Sequence, residues 1–325
     1  MRNAFSDTLV ALAQADPNVL LLTGDHGYAL FDPFRRHCPA QYINAGIAEQ
    51  NMVGMAAGLA RAGFRPFVYG LAAFVPVRVL EQIKLDVAHD NLPVIFIGDG
   101  AGFVYSHLGT SHQSTEDIAC TRAIPHLALY SPADRHEMAA CLRAAYMSAS
   151  PVYLRMGKSD LGDVHPAPLA VPIFAPIRLR QGASSLSLVA TGSMVHTALN
   201  LVSTGYRDAN VWSVPTIKPA DNETISTICR ESDVVITLEE HSVIGGLGSL
   251  VSEIAAERGS VRVLRIGVQD RFSQHCGGYE YLLCEHGLDC ASVSKQIDAF
   301  LTAGESKHTR GSNSPDAVAF NSLEA

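Results

Sequence analysis

LPVIFIGDG, residues 92–100, is an apolar run that ends in Gly-Asp-Gly. A strand with one wet face alternates apolar and polar residues. A short run that is apolar throughout predicts a strand covered on both faces, as in a parallel sheet flanked by helices. Working outward, NVLLLTGD (18–25), RPFVYG (65–70), HLALYSP (126–132) and VYLRM (152–156) repeat the pattern. Helical stretches are expected between them, at roughly 46–62, 76–90, 114–122 and 134–148. Strand–helix alternation of this kind makes an α/β domain with a parallel sheet, over residues 1–157.

Residues 158–183 contain four prolines and no helical period, and read as a linker over the surface. A second α/β domain is expected over 184–302, with strands SLSLVATGS, NVWSVPT, DVVITLEE and VRVLRIG and helices SMVHTALNLV and LGSLVSEIAAERG. The tail, 303–325, is polar and rich in Gly and Ser, and is expected to be disordered.

Of the 325 residues, 47% are hydrophobic and 17% charged, enough apolar surface to fill two cores. The net charge is −8 and no Lys/Arg block occurs, so no nucleic-acid or membrane partner is expected. Seven cysteines without a Cys-x-x-Cys pair fit reduced thiols in a cytoplasmic protein. His275, Cys276, Cys284, His286 and Cys290 match no common zinc spacing, and no metal ligand is assigned in this chain. MRNAFSDTLVALAQADPN (1–18) reads as an amphipathic helix and lacks the features of a signal peptide. No apolar run reaches the roughly 20 residues of a membrane helix.

Three segments carry side chains suited to chemistry. YINAGIAEQNMVGMAAGLARAG (42–63) turns into a helix with apolar or small residues at Ile47, Met52, Met55, Ala56 and Leu59. Glu49 falls in its first turn, where a lone carboxylate would simply complement the helix dipole. FVYGLAAFVPVRVLEQIKLDV (67–87) holds Phe74, by spacing alone a core aromatic, and Arg78, a candidate for a helix salt bridge. GDGAGFVYSHLGTSHQSTEDIA (98–119) follows the opening strand but gives no Gly-x-Gly-x-x-Gly fingerprint. Beyond these, PVYLRMGK places Arg155 at a strand end, either as a domain-interface ion pair or as an anion ligand. GGLG in TLEEHSVIGGLGSLVSEIAAERG makes a tight turn into a helix, and His241 there is read as structural.

GIAEQNMVGMAAGLA (46–60) resembles the motif of transketolases, deoxyxylulose-phosphate synthases and the β subunits of 2-oxoacid dehydrogenases. The likeness continues into the second domain, where TLEEHSVIGGLGSLVSEIAAERG is similar to the transketolase C-terminal domain. The resemblance implies a thiamine-diphosphate pyrimidine-binding domain followed by that C-terminal domain, whose main role in relatives is dimerisation. It further implies that Glu49 faces N1′ of the thiamine aminopyrimidine. A carboxyl in an apolar site can hold and share a proton there, which promotes loss of the C2 proton of the thiazolium. Phe74 takes the position that stacks on the pyrimidine ring, and Ile47 lies in the same cofactor-binding string.

By the same resemblance, SHQ matches the substrate-channel histidine motif of transketolases, so His112 is expected to hydrogen-bond the donor's oxygen and to shuttle protons. Tyr69 and Arg78 occupy places that line the channel, and Arg155 the place of an arginine that binds substrate phosphate. Sugar-phosphate relatives carry an acidic residue four positions before this histidine. Here that residue is Leu108, preceded by His107, which is either a second polar group of the channel or a surface histidine. The departure implies an altered substrate, as in specialised sugar metabolism.

GDG resembles the start of the magnesium-diphosphate motif of thiamine enzymes, which closes on an asparagine further along. No asparagine occurs between Asn91 and Asn200. The resemblance therefore implies half an enzyme. A separate N-terminal-half transketolase subunit would bind the diphosphate through Mg2+ and share the thiamine diphosphate, in an α2β2 assembly. The expected activity is transfer of a two-carbon ketol unit from a ketose, phosphorylated if the arginines act as in relatives, to an aldehyde. Two alternatives remain open: a deoxyxylulose-phosphate-synthase-like or 2-oxoacid-decarboxylating enzyme, and a non-catalytic scaffold or regulatory remnant.

Overall fold

The computed structural model describes residues 1–171, 173–258 and 261–311, with no side-chain description beyond residue 303. Twelve strands form among them: β1 (Val19–Thr23), β2 (Tyr42–Asn44), β3 (Arg65–Leu71), β4 (Ile95–Asp99), β5 (Ala128–Tyr130), β6 (Val152–Met156), β7 (Ile177–Arg180), β8 (Leu186–Ala190), β9 (Asn210–Ser213), β10 (Thr216–Lys218), β11 (Val234–Ser242) and β12 (Arg262–Val268). They make a seven-stranded sheet, β10-β5-β6-β4-β3-β1-β2, and a five-stranded sheet, β12-β11-β8-β9-β7. Both are parallel except for one antiparallel edge strand each, β10 against β5 and β7 against β9. Two mostly parallel α/β sheets are thus present, as the unbroken apolar runs require.

The fully buried strands β1, β4 and β6 have helices on both sides. On one face, Met52, Val53 and Ala56 of the helix Glu49–Arg61 pack on Leu20, Leu22, Val68 and Phe96. The same apolar cluster runs on into the second unit through Ile225, Ile228, Leu250 and Val251, while the opposite face of the second sheet has its own cluster around Leu188, Ile236 and Ile266. On the other face, Phe5 and Leu9 of the helix Arg2–Ala15 and Met138 and Leu142 of the helix Arg135–Met147 cover Leu21, Phe67, Tyr69 and Ile97.

Three features depart from the expected organisation. The proline-rich linker contains β7, whose alternating Ile177-Arg178-Leu179-Arg180 joins the second sheet. β10 lies among the residues of the second unit yet pairs with the first sheet. The final helix, Cys290–Gly311, runs past Ala303, while the rest of the expected tail, 312–325, lies outside the described residues. Among the described residues no helix is long and apolar enough to cross a membrane.

Candidate active site

The C-terminal ends of β1, β3 and β4 release three loops, at 24–28, 72–76 and 100–113, to one edge of the first sheet. Ligand crevices of open parallel sheets lie at that edge. Glu49 arrives beside them because its helix begins at Ala48 without a side-chain cap. Its side chain is only 5% exposed. Oε2 accepts a hydrogen bond from Arg78 Nη1 at 3.3 Å, and Oε1 is buried with no hydrogen-bond partner. Across from Oε1 lies His26, whose Nε2 is 3.9 Å away.

Phe74 lies at the centre of these groups. The Arg78 guanidinium carbon is 3.9 Å from its ring centroid. The His112 ring meets it edge-on at 5.2 Å and 67°, and the His26 ring is tilted against it at 6.3 Å. Arg78 comes from Val77–Val79, the first turn of a helical segment that continues through Leu80–Gln82 and widens into π-type turns over Ile83–Ala88. Such widening is common at functional sites. His112 Nδ1 pairs with Ser111 Oγ at 2.9 Å.

The structure therefore gathers Glu49, Arg78 and His112 about Phe74, all four singled out by the sequence, and adds His26, which was not. The available signal for His26 was its place immediately after Asp25, the charged end of an apolar strand run, between Gly24 and Gly27. Ile47 stands exposed on the loop before Glu49, and His107 and Leu108 are exposed on the turn Ser106–Leu108.

Two expected site residues do not line this crevice. Successive side chains of a strand point to opposite faces. Val68 of β3 faces the Glu49 helix, so Tyr69 faces away, wedged between Phe5 and Phe31 and 1% exposed. Its hydroxyl donates to Asp99 Oδ2 at 2.6 Å, which also accepts from Tyr105. Burial and the Asp99 charge raise the Tyr69 pKa. Arg155 is 2% exposed. Its Nε donates to Asp117 Oδ2 at 2.8 Å, an ion pair inside the first unit, and its Nη2 donates to the Glu240 carbonyl of the second at 2.8 Å, so the arginine is engaged at the contact between the units. At 2% exposure it does not stand open at the crevice as Arg78 does.

Around Arg155 the two units interlock. Glu240 accepts from Phe103 N at 2.6 Å, from Tyr279 OH at 2.5 Å and from Ser193 Oγ, and burial raises its pKa. Glu239 caps the helix Leu247–Arg258 by accepting from Leu247 N and Gly248 N, and burial pushes it up to about 7. His241 bridges the units. Its Nε2 accepts from Ala119 N at 3.2 Å and its Nδ1–H donates to the Ser242 carbonyl at 2.8 Å. Burial lowers its pKa to about 4, in accord with a neutral ring. Among the described residues, no three His, Cys, Asp or Glu side chains are placed to hold a metal ion.

The crevice thus joins a buried carboxylate to an aromatic ring through the Arg78 guanidinium. Comparison with known proteins shows the family. Residues 1–163 match the transketolase pyrimidine-binding domain and residues 176–293 the transketolase C-terminal domain. The chain is 34% identical over 305 residues to one subunit of the apulose-4-phosphate transketolase of Phocaeicola vulgatus, covering 92% of this chain and 97% of that one. It is 36% identical over 302 residues to the 1-deoxy-D-xylulose-5-phosphate synthase of Cupriavidus necator, covering 90% of this chain but 46% of the synthase. A solved split-gene transketolase, described as an inactive β4 tetramer, superimposes with a TM-score of 0.83 at 32% identity, over 93% of this chain and 97% of that one. The chain belongs to the transketolase family, as a protein built of its pyrimidine-binding and C-terminal domains.

Proposed function

We propose that this chain is the pyrimidine-site half of a two-subunit, thiamine-diphosphate-dependent transketolase. The observation that carries the reading is the pair of contacts made by Arg78. A planar cation stacks on Phe74 and hydrogen-bonds Glu49, the two contacts an aminopyrimidine needs, while Glu49 Oε1 is still unpartnered. The residues present thus fit the group. When bound, thiamine diphosphate supplies the electron sink through which a two-carbon unit passes between sugars.

Glu49 would hold a proton at Oε1 toward the ring nitrogen, and Phe74 would fix the ring plane. Offset stacking is worth about 1 kcal/mol beyond burial. His112, edge-on to Phe74, would hydrogen-bond the donor's oxygen. Of the two arginines expected near substrate phosphate, only Arg78 is exposed at the crevice. A phosphorylated ketose donor and an aldehyde acceptor are supported by the relative named for apulose 4-phosphate. The split-gene relative's inactive β4 tetramer supports a requirement for a second subunit, which would hold the diphosphate and Mg2+ in an α2β2 cytoplasmic assembly.

The likeness to deoxyxylulose-phosphate synthase favours one second reading, a decarboxylating enzyme that accepts pyruvate. Co-purification with a diphosphate-binding subunit, then a screen of sugar phosphates and 2-oxo acids, separates the two. Ketol transfer without carbon dioxide release supports the transketolase, and carbon dioxide release from pyruvate supports the other. The chain alone, with Mg2+ and thiamine diphosphate, is expected to be inactive. Turnover by the pure single chain would overturn the two-subunit reading.

A further inference from the structure

Two polar atoms of the crevice, Glu49 Oε1 and His26 Nε2, are buried without a hydrogen-bond partner and lie 3.9 Å apart. That separation is too long for a hydrogen bond between them. Each unpaired buried polar atom costs about 1–3 kcal/mol. Two of them on one gap are explained together by a third atom that both can reach.

Their approach is built into the backbone. Asn44 Oδ1 accepts from Asp25 N at 3.1 Å and from Gly46 N at 3.0 Å, tying the His26 loop to the loop that leads into Glu49. Asp25 and Gly27, on either side of His26, both have positive φ, at 60° and 78°. A Cβ on Gly27 would lie 2.2 Å from the Phe31 ring. His26 is held in place by a strained turn and by a glycine that cannot be replaced freely.

Other charged groups nearby are already engaged or lie elsewhere. Arg78 takes the other Glu49 oxygen, Asp25 is exposed on the His26 loop itself, and His112 is in contact with the Phe74 ring. The His26 side chain is 23% exposed, against 5% for Glu49. Water reaches the imidazole more readily than the carboxylate.

We propose that His26 is a second proton-holding residue of the centre, aimed with Glu49 at one acceptor atom of the bound ligand. This rests on the reading above, under which that atom is the pyrimidine N1′. A charged His26 ring gives up its Nε2 proton and keeps the nitrogen electron pair, remaining as a neutral Nδ1–H ring. The proton goes to Glu49 Oε1 or to the acceptor, and it returns to Nε2 by the reverse transfer. Arg78 cannot substitute, because a guanidinium does not deprotonate in proteins.

The test uses the chain reconstituted with its diphosphate-binding subunit. His26→Leu keeps bulk without a proton site. His26→Gln places an amide nitrogen near the position of Nε2 but cannot release a proton, and it carries the test if the leucine variant fails to assemble. Both are expected to bind thiamine diphosphate within about tenfold of wild type by calorimetry, yet to lose roughly 10²-fold in kcat with donor KM little changed. The double variant His26→Leu/Glu49→Gln should lose less than the product of the two single losses, because both residues act on one proton. Diethyl pyrocarbonate labelling of His26, mapped by mass spectrometry, should be blocked by thiamine diphosphate. Cofactor binding with undiminished kcat in the variants, multiplicative losses, or labelling indifferent to cofactor would overturn the proposal alone. A wild-type pair that binds no thiamine diphosphate overturns the functional reading, and the proposal with it.

Discussion

The Arg78 guanidinium lies 3.9 Å above the Phe74 ring, between that ring and the Glu49 carboxylate to which it donates. A flat ligand cannot stack on this face of Phe74 until the guanidinium leaves. The contact is worth about 1 kcal/mol, since the arginine is half exposed and water screens its ion pair. Arg78→Ala should therefore tighten thiamine diphosphate binding to the assembled enzyme by roughly fivefold while raising donor KM. Calorimetry measures the first and steady-state kinetics the second. An unchanged Kd would show that Arg78 does not guard the slot.

Glu49→Gln keeps the shape of the side chain but removes the acid. Deuterium exchange at the thiamine C2 in the reconstituted pair should slow by roughly 10²–10⁴-fold, the usual contribution of a positioned acid or base. Exchange at the wild-type rate would remove Glu49 from this role.

Leu108 stands exposed on the turn before His112, where the resemblance to sugar-phosphate transketolases implies a carboxylate. It cannot accept a hydrogen bond from a substrate hydroxyl, and a partly desolvated, unpaired hydroxyl costs about 1–3 kcal/mol, or roughly 5- to 150-fold. The chain should prefer a deoxy, keto or otherwise altered sugar at that carbon. The check is kcat/KM for a pentose phosphate and its deoxy analogue, in wild type and in Leu108→Asp. A wild-type preference for the hydroxylated sugar that the aspartate leaves untouched would defeat the argument.

His241 makes the contact between the units acid-sensitive. Burial holds its pKa at about 4 in the fold, against 6.5 for the free side chain. Between those values the unfolded chain binds a proton that the folded chain does not, so stability is full above pH 6.5 and falls as pH drops toward 4. The effect is on the order of 3 kcal/mol. In urea titrations at pH 7 and pH 5, His241→Gln should lose less stability on acidification than wild type. Parallel losses would show that other groups govern the acid response.

Glu49, Phe74 and His112 were singled out because each sits in a short local string that resembles a family motif; spacing alone gave Glu49 as a dipole partner and Phe74 as a core aromatic. The facing of Tyr69 was not legible. Which face of β3 it occupies depends on Val68 packing against the Glu49 helix, and a run apolar on both faces does not announce its facing. Arg155 was open between two roles because its partners, Asp117 and the Glu240 carbonyl, are 38 and 85 residues away in sequence. His26 has no periodic pattern around it. Its meaning arises only when the Asn44 contacts bring its loop beside that of Glu49. The parallel sheets were readable from apolar runs, whereas the three residues of β10 were too few to carry a signal.

The pairing of β10 with β5 determines how the polypeptide can be divided. The connector before β7 looks like a seam, but the outermost strand of the sheet before it is supplied by residues beyond it. Lys218 at the end of β10 also reaches back to the Arg122 and Ile124 carbonyls. A break in the connector would nick the backbone without freeing either half. A gene split at that point would yield a fragment with a raw sheet edge, prone to pair with the wrong neighbour.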